Sequence, residues 1–166
     1  MADLTTNINY LQPTSYKLVL DRENYPNLEF FAQTVSHPDM AIQPAELPFR
    51  KIQSVPIAGG ALSFSELNAT VILDEDMTAY TEMYSWIRRL VDAPLVRPMD
   101  RSDTNVPSYA DITLSILTSM NNQVKKFKYY ECIPTNLGGI SFETTNAGTD
   151  FITFDISFRF TYFELE

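Results

Sequence analysis

The sequence predicts a mainly β protein, made of antiparallel strands with one substantial helix and arranged as a barrel or a sandwich. The first observation is a long run, residues 152–162, in which apolar and polar side chains alternate with the period of two that is typical of a half-buried strand. The second is an aromatic content of 13%, which favours strands. The third is that a clear amphipathic helix pattern stands out in one segment, residues 74–91.

Shorter alternating segments separated by turn residues predict the other strands. The first two strands are expected to form a hairpin around a turn at residues 22–27. Residues 37–48 hold three prolines, so we expect an extended segment without helix there. The strands are predicted at residues 16–21, 28–36, 49–56, 62–73, 109–119 and 124–132, in addition to the run at 152–162.

The helix is marked by charge at both ends. Acidic residues at 74–76 precede it and Arg88 and Arg89 lie in its last turns, and both placements oppose the helix macrodipole favourably. Pro94 is expected to end it. The apolar stripe is predicted to consist of Met77, Tyr80, Tyr84, Ile87 and Val91.

Length and composition indicate one globular domain with an acidic surface. The chain has 166 residues, a formal net charge of −9 and a pI of about 4.5, so it repels phosphate and is a poor nucleic-acid binder. We expect an N-terminal arm at residues 1–14 and a single domain at residues 15–166. Cys132 is the single cysteine, and neither a secretory signal nor a membrane-spanning run is evident. These features predict a protein made and folded in a cytoplasm.

The sequence has few residues of the kinds that usually carry catalysis or bind metals. His37 is the only histidine and lies beside a proline without a nucleophile motif, and one histidine with Cys132 cannot build a structural zinc site. A calcium loop starting at Asp74 fails, because its sixth position is Ala79 and its twelfth is Ser85. The sequence therefore predicts no enzyme, no cofactor and no metal site. A pair of carboxylates brought together by folding stays open.

Three segments carry a resemblance to a known family. Residues 68–86 combine an alternating strand, an acidic turn and a helix containing Trp86. Residues 133–138 read Ile-Pro-Thr-Asn-Leu-Gly, and residues 155–166 form the end of the alternating run. In this order, and over most of the chain from about Tyr16 onward, the layout resembles the tail-tube proteins of contractile-tailed bacteriophages.

The resemblance implies a fold and a function. Family members fold as two packed antiparallel sheets, barrel-like, with a flanking helix, and six copies form a ring that stacks into a tube. The implied protein is a structural component of the virion tail, made in the bacterial host cytoplasm. It would contact itself, the baseplate and the sheath, and its acidic lumen would let DNA pass without binding it. The same fold also forms single rings at tube ends, such as a baseplate initiator or a tail terminator, and the tubes of type VI secretion and of contractile bacteriocins.

Candidate residues follow from this resemblance and from the residue pattern, although the sequence leaves open which sheet faces the lumen. The prediction offers either of two polar strand faces as the lumen lining, and it assigns several apolar residues and a lysine cluster to contacts between subunits. The lumen candidates are Asn68, Thr70, Thr153, Asp155, Ser157, Arg159 and Thr161, and the interface candidates are Tyr10, Leu11, Met40, Ile42, Leu47, Lys125, Lys126 and Lys128.

Two other classes of protein stay open at this point. A closed monomeric β-barrel would hold a small apolar ligand in its interior. A small carbohydrate-active enzyme would need a pair of carboxylates, for which the sequence has no local signature. A measurement of the oligomeric state in solution would distinguish a ring-forming protein from the monomeric barrel.

Overall fold

The structure is a computed structural model and describes residues 9–20, 24–30, 32–49, 53–91, 108–143 and 151–166. Within these ranges the protein is mainly β, with eleven strands and two helices. In chain order they are β1 Tyr16–Val19, α1 Pro26–Phe30, β2 Ala32–Ser36, β3 Met40–Ile42, β4 Ala45–Phe49, β5 Gln53–Ile57, β6 Leu62–Phe64, β7 Leu67–Ile72, α2 Thr78–Val91, β8 Ala110–Leu117, β9 Gln123–Leu137, β10 Thr153–Arg159 and β11 Tyr162–Leu165.

The strand β9 is 15 residues long and belongs to two antiparallel sheets. Its first part pairs with β8 and β11, and β8 pairs with β1; these strands form sheet A. Its last part, residues 133–137, pairs with β10, which is followed by β7 and β2; these strands form sheet B. The described strands do not close into a barrel, so the closed ligand-binding barrel of the alternative hypothesis is not formed within them.

A β-bulge marks the point where β9 passes from sheet A to sheet B. The register with β8 shifts between Ala110, which faces Cys132, and Ile112, which faces Tyr129. Glu131 lies in the shifted stretch with a φ of 55°, a left-handed conformation that costs a residue with a side chain roughly 1–2 kcal/mol. Bulges bend a strand and increase its twist, and the bend lets one strand serve both sheets.

Both sheets and both helices contribute to one core. Trp86 of α2 is fully buried, stacks on Tyr25 with ring centroids 4.4 Å apart, and packs on Phe158 of β10 at 5.7 Å. Its indole N–H donates to the carbonyl of Ser108 at 3.1 Å, which satisfies the polar atom that burial would otherwise leave unpaired. The largest fully buried side chains are Trp86, Tyr129, Phe154, Phe158, Leu28, Leu67, Met83, Ile112, Ile156, Val71 and Cys132.

The expectation of a single helix is wrong, because a short second helix, α1, replaces part of the predicted turn and strand at residues 22–36. Pro26 starts α1, a position where its missing N–H costs nothing. The carboxylate of Glu82 in α2 accepts hydrogen bonds from the backbone N–H groups of Asn27 and Leu28, both at 3.2 Å. The cap therefore comes from a residue more than fifty positions away. The predicted first hairpin is also wrong, since β1 pairs with β8 and β2 pairs with β7.

The predicted amphipathic helix is confirmed as α2, but its buried face differs from the predicted stripe. Asp74 accepts hydrogen bonds from the backbone N–H groups of Thr78 at 3.0 Å and Ala79 at 3.3 Å and so caps the helix. Two members of the predicted stripe, Tyr80 and Ile87, are partly buried against the core, but the fully buried face is the one that includes Trp86. The buried residues are Ala79, Met83 and Trp86, whereas Tyr84 is 50% and Val91 is 72% exposed, and Met77 precedes the helix.

The long alternating run at the end of the chain is broken into β10 and β11. Because β9 bends at its bulge, the returning chain must also break there to follow it from sheet B to sheet A. The backbone N–H of Thr161 donates to the Tyr130 carbonyl at 3.1 Å at this break. The break changes which side chains face inward, so Phe163 packs against the core while Tyr162 is 42% exposed and stacks on Tyr130.

The segment at residues 37–48 is extended, as predicted, and it forms part of a paired arm. β3 pairs with β6 and β4 pairs with β5, and we call β3 to β6 the β-arm. The predicted strands at 49–56 and 62–73 are each divided, since β5 starts at Gln53 and β6 is separate from β7. Of the predicted N-terminal arm, residues 1–8 lie outside the described residues, as does most of the proline-rich loop at 94–108.

Gly138 should be indispensable for the packing of β9 against β10. A Cβ at Gly138 would lie 2.9 Å from both the backbone N and the backbone O of Asp155, whereas a Cβ at Gly139 would meet nothing within 4 Å. We expect Gly138→Ala to lower the free energy of unfolding by about 1–3 kcal/mol through overpacking. Urea unfolding followed by circular dichroism measures this. Gly139→Ala is the matched control and should change stability by less than about 0.5 kcal/mol; equal effects of the two substitutions would contradict the packing argument.

Candidate assembly surfaces

The outer face of sheet B is polar and its side chains bond across the strands. Asn68 faces Ser157 and Thr70 faces Asp155 in the register of β7 with β10. The Ser157 hydroxyl donates to Asn68 Oδ1 at 2.7 Å, and the Thr70 hydroxyl donates to Asp155 Oδ1 at 2.8 Å. The opposite face of the same strands carries Ala69 and Phe154 into the core. One sheet thus separates a dry interior from a hydroxyl- and amide-rich surface.

The structure brings six of the seven lumen candidates to this face. Thr153 and Arg159 share the alternation of β10 with Asp155 and Ser157. Thr161 lies elsewhere, because it follows the break between β10 and β11 and its hydroxyl donates to the Glu131 carboxylate at 2.7 Å. The sequence reasoning missed three residues that line the same shallow depression, and the alternation within β2 would have found the first two. They are Thr34, Ser36 and Asn136.

The polar face of sheet B carries little charge. Among its described residues, Asp155 is the one carboxylate and Arg159 is the one cation, and both are exposed. The other members are hydroxyl and amide side chains, which bind water without attracting counter-ions. The negative charge of the chain is therefore concentrated on other surfaces.

Sheet B has two edges without a described partner strand. β2 pairs with β7 on one side and with no described strand on the other. At residues 133–137, β9 pairs with β10 on one side, while its pairing with β8 ends at Cys132. Pro134 lies in this last part, which fits an edge because proline has no backbone N–H to donate to a neighbouring strand. Free edges are templates for pairing with another chain.

An open cleft of about 950 Å³ separates the edges of the two sheets. Leu18 of β1 and Val35 of β2 line it from opposite sides, and the hydroxyl of Tyr16 donates to the carbonyl of Gln33 across it. Pro13 and Thr14 lie at the cleft, next to the interface candidates Tyr10 and Leu11, which are 96% and 64% exposed. The described part of the N-terminal arm therefore presents apolar side chains to solvent.

The β-arm exposes apolar side chains on both of its strand pairs. Residues opposite each other in an antiparallel pair project to the same side. Among the interface candidates, Leu47 faces Val55, and Met40 and Ile42 face Phe64 and Leu62 in the same way. Near the middle of the arm its two legs approach each other closely, since a Cβ on Gly59 would lie 1.7 Å from the Gln43 carbonyl oxygen. The exposed apolar residues of the arm are Met40, Ile42, Leu47, Val55, Ile57 and Leu62.

An aromatic cluster attaches both legs of the β-arm to sheet A. On the leg entering β3, the His37 ring packs on Phe127 with centroids 4.3 Å apart and meets the edge of Phe163 at 5.1 Å. On the leg leaving β6, Phe64 contacts Phe163 at 5.4 Å. Each such ring pair contributes roughly 0.5–1.5 kcal/mol beyond its buried area. The root of the arm is therefore fixed while its apolar face stays exposed.

Within this cluster, His37 shares a hydrogen bond with a buried tyrosine. The hydroxyl of Tyr129 lies 2.6 Å from His37 Nδ1. Burial raises the pKa of Tyr129, so the hydroxyl keeps its proton near neutral pH. Burial also lowers the pKa of His37, against the opposing effect of the Asp39 carboxylate. The neutral form of His37 is the one that this arrangement favours.

The lysine cluster has carboxylate partners within the chain. Lys126 forms an ion pair with Glu166, and Lys128 Nζ lies 3.5 Å from Asp111 Oδ2 and 4.5 Å from the centre of the Tyr130 ring. These pairs are half-exposed and contribute little to stability. Lys125 is exposed beside them. A contact of this cluster with a second subunit stays a prediction, and it is not needed to neutralise Lys126 or Lys128.

The described residues were also compared with what a reactive cysteine, a metal site or a membrane-spanning helix requires. Cys132 is buried, as predicted, and burial raises the pKa of its thiol to about 12, so the thiol is unreactive near neutral pH. Among the described residues, no group of three or more His, Cys, Asp or Glu side chains is placed to hold a metal ion. Neither described helix has the length and apolar character needed to cross a membrane.

The stability of the arm root should depend on pH through His37. Its folded pKa lies below the ordinary value of 6.5, so the unfolded chain binds a proton first as the pH falls. The free energy of unfolding should therefore be highest above about pH 6.5 and should decrease as the pH drops through the folded pKa. The titration of the single histidine ring by NMR measures the folded pKa directly.

His37→Phe is the matched variant for this pH dependence, since it keeps an aromatic ring and removes the titrating group. The difference in unfolding free energy between the two proteins should shrink or change sign as the pH falls from 8 to 5 (~3 units that span the ordinary histidine pKa). A histidine ring that titrates at or above its ordinary value would contradict the burial argument.

Comparisons with known proteins find solved structures that share this fold. No family model and no curated protein matches the sequence. A chain of the anti-feeding prophage cap, the tube terminating cap, matches at 16% identity and a TM-score of 0.69, over 99% of this chain and 95% of that chain. A chain of the sheath-tube complex of the extracellular contractile injection system PVC, in its extended state, matches at 16% identity and a TM-score of 0.67, over 96% and 93%.

A third match is to a chain of the anti-feeding prophage baseplate, at 11% identity and a TM-score of 0.62, over 100% of this chain and 97% of that chain. At such low identity these likenesses concern the fold, and they extend over nearly the full length of both chains in each case. The tail-tube fold that the sequence resemblance implied is thereby confirmed, in the form shared by chains of tube, tube-end and baseplate structures.

Proposed function

We propose that the protein is a structural, ring-forming subunit of the tube of a contractile, phage-like injection apparatus, or of a ring at the end of such a tube. The observation that carries the proposal is sheet B. It has one face in the core, a polar outer face, and two free edges on opposite sides. A sheet of this kind is completed by further copies of itself, because each copy offers one edge and needs the other.

The strand directions of sheet B suit such a seam. In the order β9-β10-β7-β2 all neighbouring strands are antiparallel, so β2 runs opposite to the end of β9. A rotation about an axis along the strands brings β2 of one copy beside the end of β9 of the next, again in antiparallel orientation. Repeating the rotation closes a ring without free edges. The number of copies implied by the family resemblance is six.

In such a ring the polar face of sheet B would line the central channel, with α2 and sheet A outside it. The lining would consist of hydroxyl and amide groups with Asp155 and Arg159 as opposite charges, so its net charge within the sheet would be small. The resemblance implied an acidic lumen, whereas this lining would be close to neutral. The passage of DNA or of another elongated cargo stays a prediction, and a lining of small net charge would not attract a phosphate backbone.

Two positions in the apparatus fit the fold. The matches to the cap chain and to the sheath-tube chain have nearly equal TM-scores of 0.69 and 0.67, so the fold suits a repeating tube subunit and a terminal ring alike. As a tube subunit the protein would contact the sheath, and as an end ring it would contact a baseplate or terminator protein. In either position the role is structural, in a tail-like assembly, and involves no catalysed reaction.

The seam can be tested by cysteine crosslinking. Thr34→Cys or Ser36→Cys in β2 is combined with Asn136→Cys at the end of β9. Within one chain these strands are three strand spacings apart, about 14 Å, which exceeds the ~7 Å Cα separation that a disulfide spans. Oxidation should therefore link neighbouring copies and give a ladder of covalent oligomers on non-reducing gels that ends at the closed ring. Native Cys132 is buried and should not compete.

Each single-cysteine variant is the control and should give dimers at most. Light scattering and negative-stain images of the same fractions report the size and shape of the rings. The ring proposal would be overturned by two results together: the double variant stays monomeric under oxidation, and the wild-type protein is a monomer at all concentrations. A ladder that ends at a number other than six would keep the seam and change the ring size.

A further inference from the structure

Sheet A has two outer edges among the described strands, formed by β1 and β11. β1 borders the open cleft, which the Tyr16 hydroxyl crosses to reach Gln33. β11 pairs with β9 on one side and with no described strand on the other. Tyr162, at the start of β11, is 42% exposed, and Leu165, at its end, is 56% exposed. In the proposed ring this edge would lie outside the channel, where another molecule can reach it.

The backbone groups of β11 alternate between bonded and free. The N–H of Glu166 donates to the Lys126 carbonyl, and the N–H of Lys126 donates to the Glu166 carbonyl, both at 2.9 Å. In an antiparallel pair such bonded positions recur at every second residue. Glu164 is therefore bonded to β9 as well, whereas the N–H and C=O groups of Phe163 and Leu165 point away from β9. Two N–H and two C=O groups thus project from this edge without a described backbone partner.

The two faces of the β11 edge differ in chemistry. Glu164 and Glu166 project to the outer face of sheet A and are exposed. Leu165 projects to the opposite face and lies opposite Phe127 of the aromatic cluster. A strand added to this edge would therefore meet carboxylates on one face and apolar side chains on the other.

The described cations that pair with these carboxylates lie on the β9 side. Lys126 forms an ion pair with Glu166, and Lys128 lies opposite Glu164 in the register. Both lysines are one strand spacing, about 4.8 Å, behind β11. An added strand would lie at the same spacing on the other side, so cations on that strand would approach the carboxylates from the solvent side.

A second copy of the same edge is a poor occupant. In the antiparallel register that uses all the free groups, Phe163 of one copy faces Leu165 of the other, and Glu164 faces Glu164. Like charges that lie directly opposite each other destabilise a strand pair. Charged side chains on an edge strand therefore discourage pairing between identical edges, while the free backbone groups stay available to a strand of opposite charge.

We propose that the free edge of β11 binds an extended segment of another protein, which adds to sheet A as an antiparallel strand. The segment carries Lys or Arg at two positions separated by one apolar residue, so that the cations face Glu164 and Glu166 while the apolar side chain contacts Leu165. Main-chain hydrogen bonds supply affinity in this mode of binding, and the alternating side chains supply specificity. The proposal goes beyond the proposed function, because it requires only β9 and β11 of a single copy.

A synthetic peptide tests the edge. The probe is a fluorescein-labelled, amidated peptide of sequence Lys-Val-Lys-Val-Lys-Val-Lys, and the control probe has Glu in place of every Lys. Fluorescence anisotropy over a series of protein concentrations measures binding to the full-length protein. The lysine peptide should bind, and more weakly as salt rises, whereas the glutamate peptide should not bind.

Two variants separate strand addition from general attraction to an acidic protein. Leu165→Pro removes an N–H that points to the free edge, and proline is tolerated on an edge strand at such a position, so folding should persist and the lysine peptide should bind at least about fivefold more weakly. Glu164→Lys should abolish binding of the lysine peptide and allow binding of the glutamate peptide. The control is Glu46→Lys in β4, which makes the same change of net charge at an exposed position on another element and should leave the preference for the lysine peptide unchanged.

The outcomes separate this proposal from the ring function. Equal binding of the lysine peptide by the wild type, Leu165→Pro and Glu164→Lys would overturn strand addition, and so would no binding to the wild type at ~1 mM protein. Neither result bears on the rings, which the crosslinking of the β2–β9 seam measures. Peptide binding by a protein that stays a monomer would support strand addition and count against the ring.

The remaining occupant is β1 of a second copy, since Lys17 lies between apolar residues of that strand. If Leu165→Pro and Lys17→Glu each reduced the size of the wild-type assemblies, β11 would pair with β1 of a neighbouring copy and the assignment to another protein would be overturned. Assemblies of unchanged size, together with weakened peptide binding by Leu165→Pro, would support the proposal.

Discussion

The architecture depends on one bent strand. β9 pairs with β8 and β11 before its bulge and with β10 after it, so both sheets take their position from the same backbone. Glu131 holds the bulge in a left-handed conformation, with Asp111 accepting from its N–H at 3.3 Å and Thr161 donating to its carboxylate at 2.7 Å. These contacts offset the backbone strain. Without the bend, the strand would remain in sheet A and sheet B would lose its edge strand.

The free edges and the polar face of sheet B are consequences of this bend. Because β8 stops at Cys132 while β9 continues, the last part of β9 has one side without a described partner. α2 covers the core side of sheet B, where Trp86 packs on Phe158. The other side of the sheet has no such cover among the described residues and carries polar side chains. A single domain with these properties exposes two strand edges without a described partner, a polar sheet face and the apolar side chains of the β-arm.

Sequence patterns predicted the pieces of this arrangement better than their connections. The period of two correctly predicted a strand within residues 109–119, and it identified the polar faces of two strands, Asn68 with Thr70 and Asp155 with Ser157, which the structure places side by side. It also ran through Phe160 without interruption, so the break between β10 and β11 was missed. Alternation reports which face of a strand is buried, whereas the break is imposed by a partner strand that is distant in sequence.

The sequence by itself determined the mainly β class, the amphipathic helix within residues 74–91 and the polar alternation that now lies on one face of sheet B, because these follow from local periodicity and from the charges at the helix ends. Only the tertiary structure decided that Glu82 caps α1, that β1 pairs with β8, and that β9 continues past β8 into sheet B. These features arise from contacts between residues far apart in the chain, whose energies depend on burial and pairing in three dimensions and leave no periodic signal in the sequence.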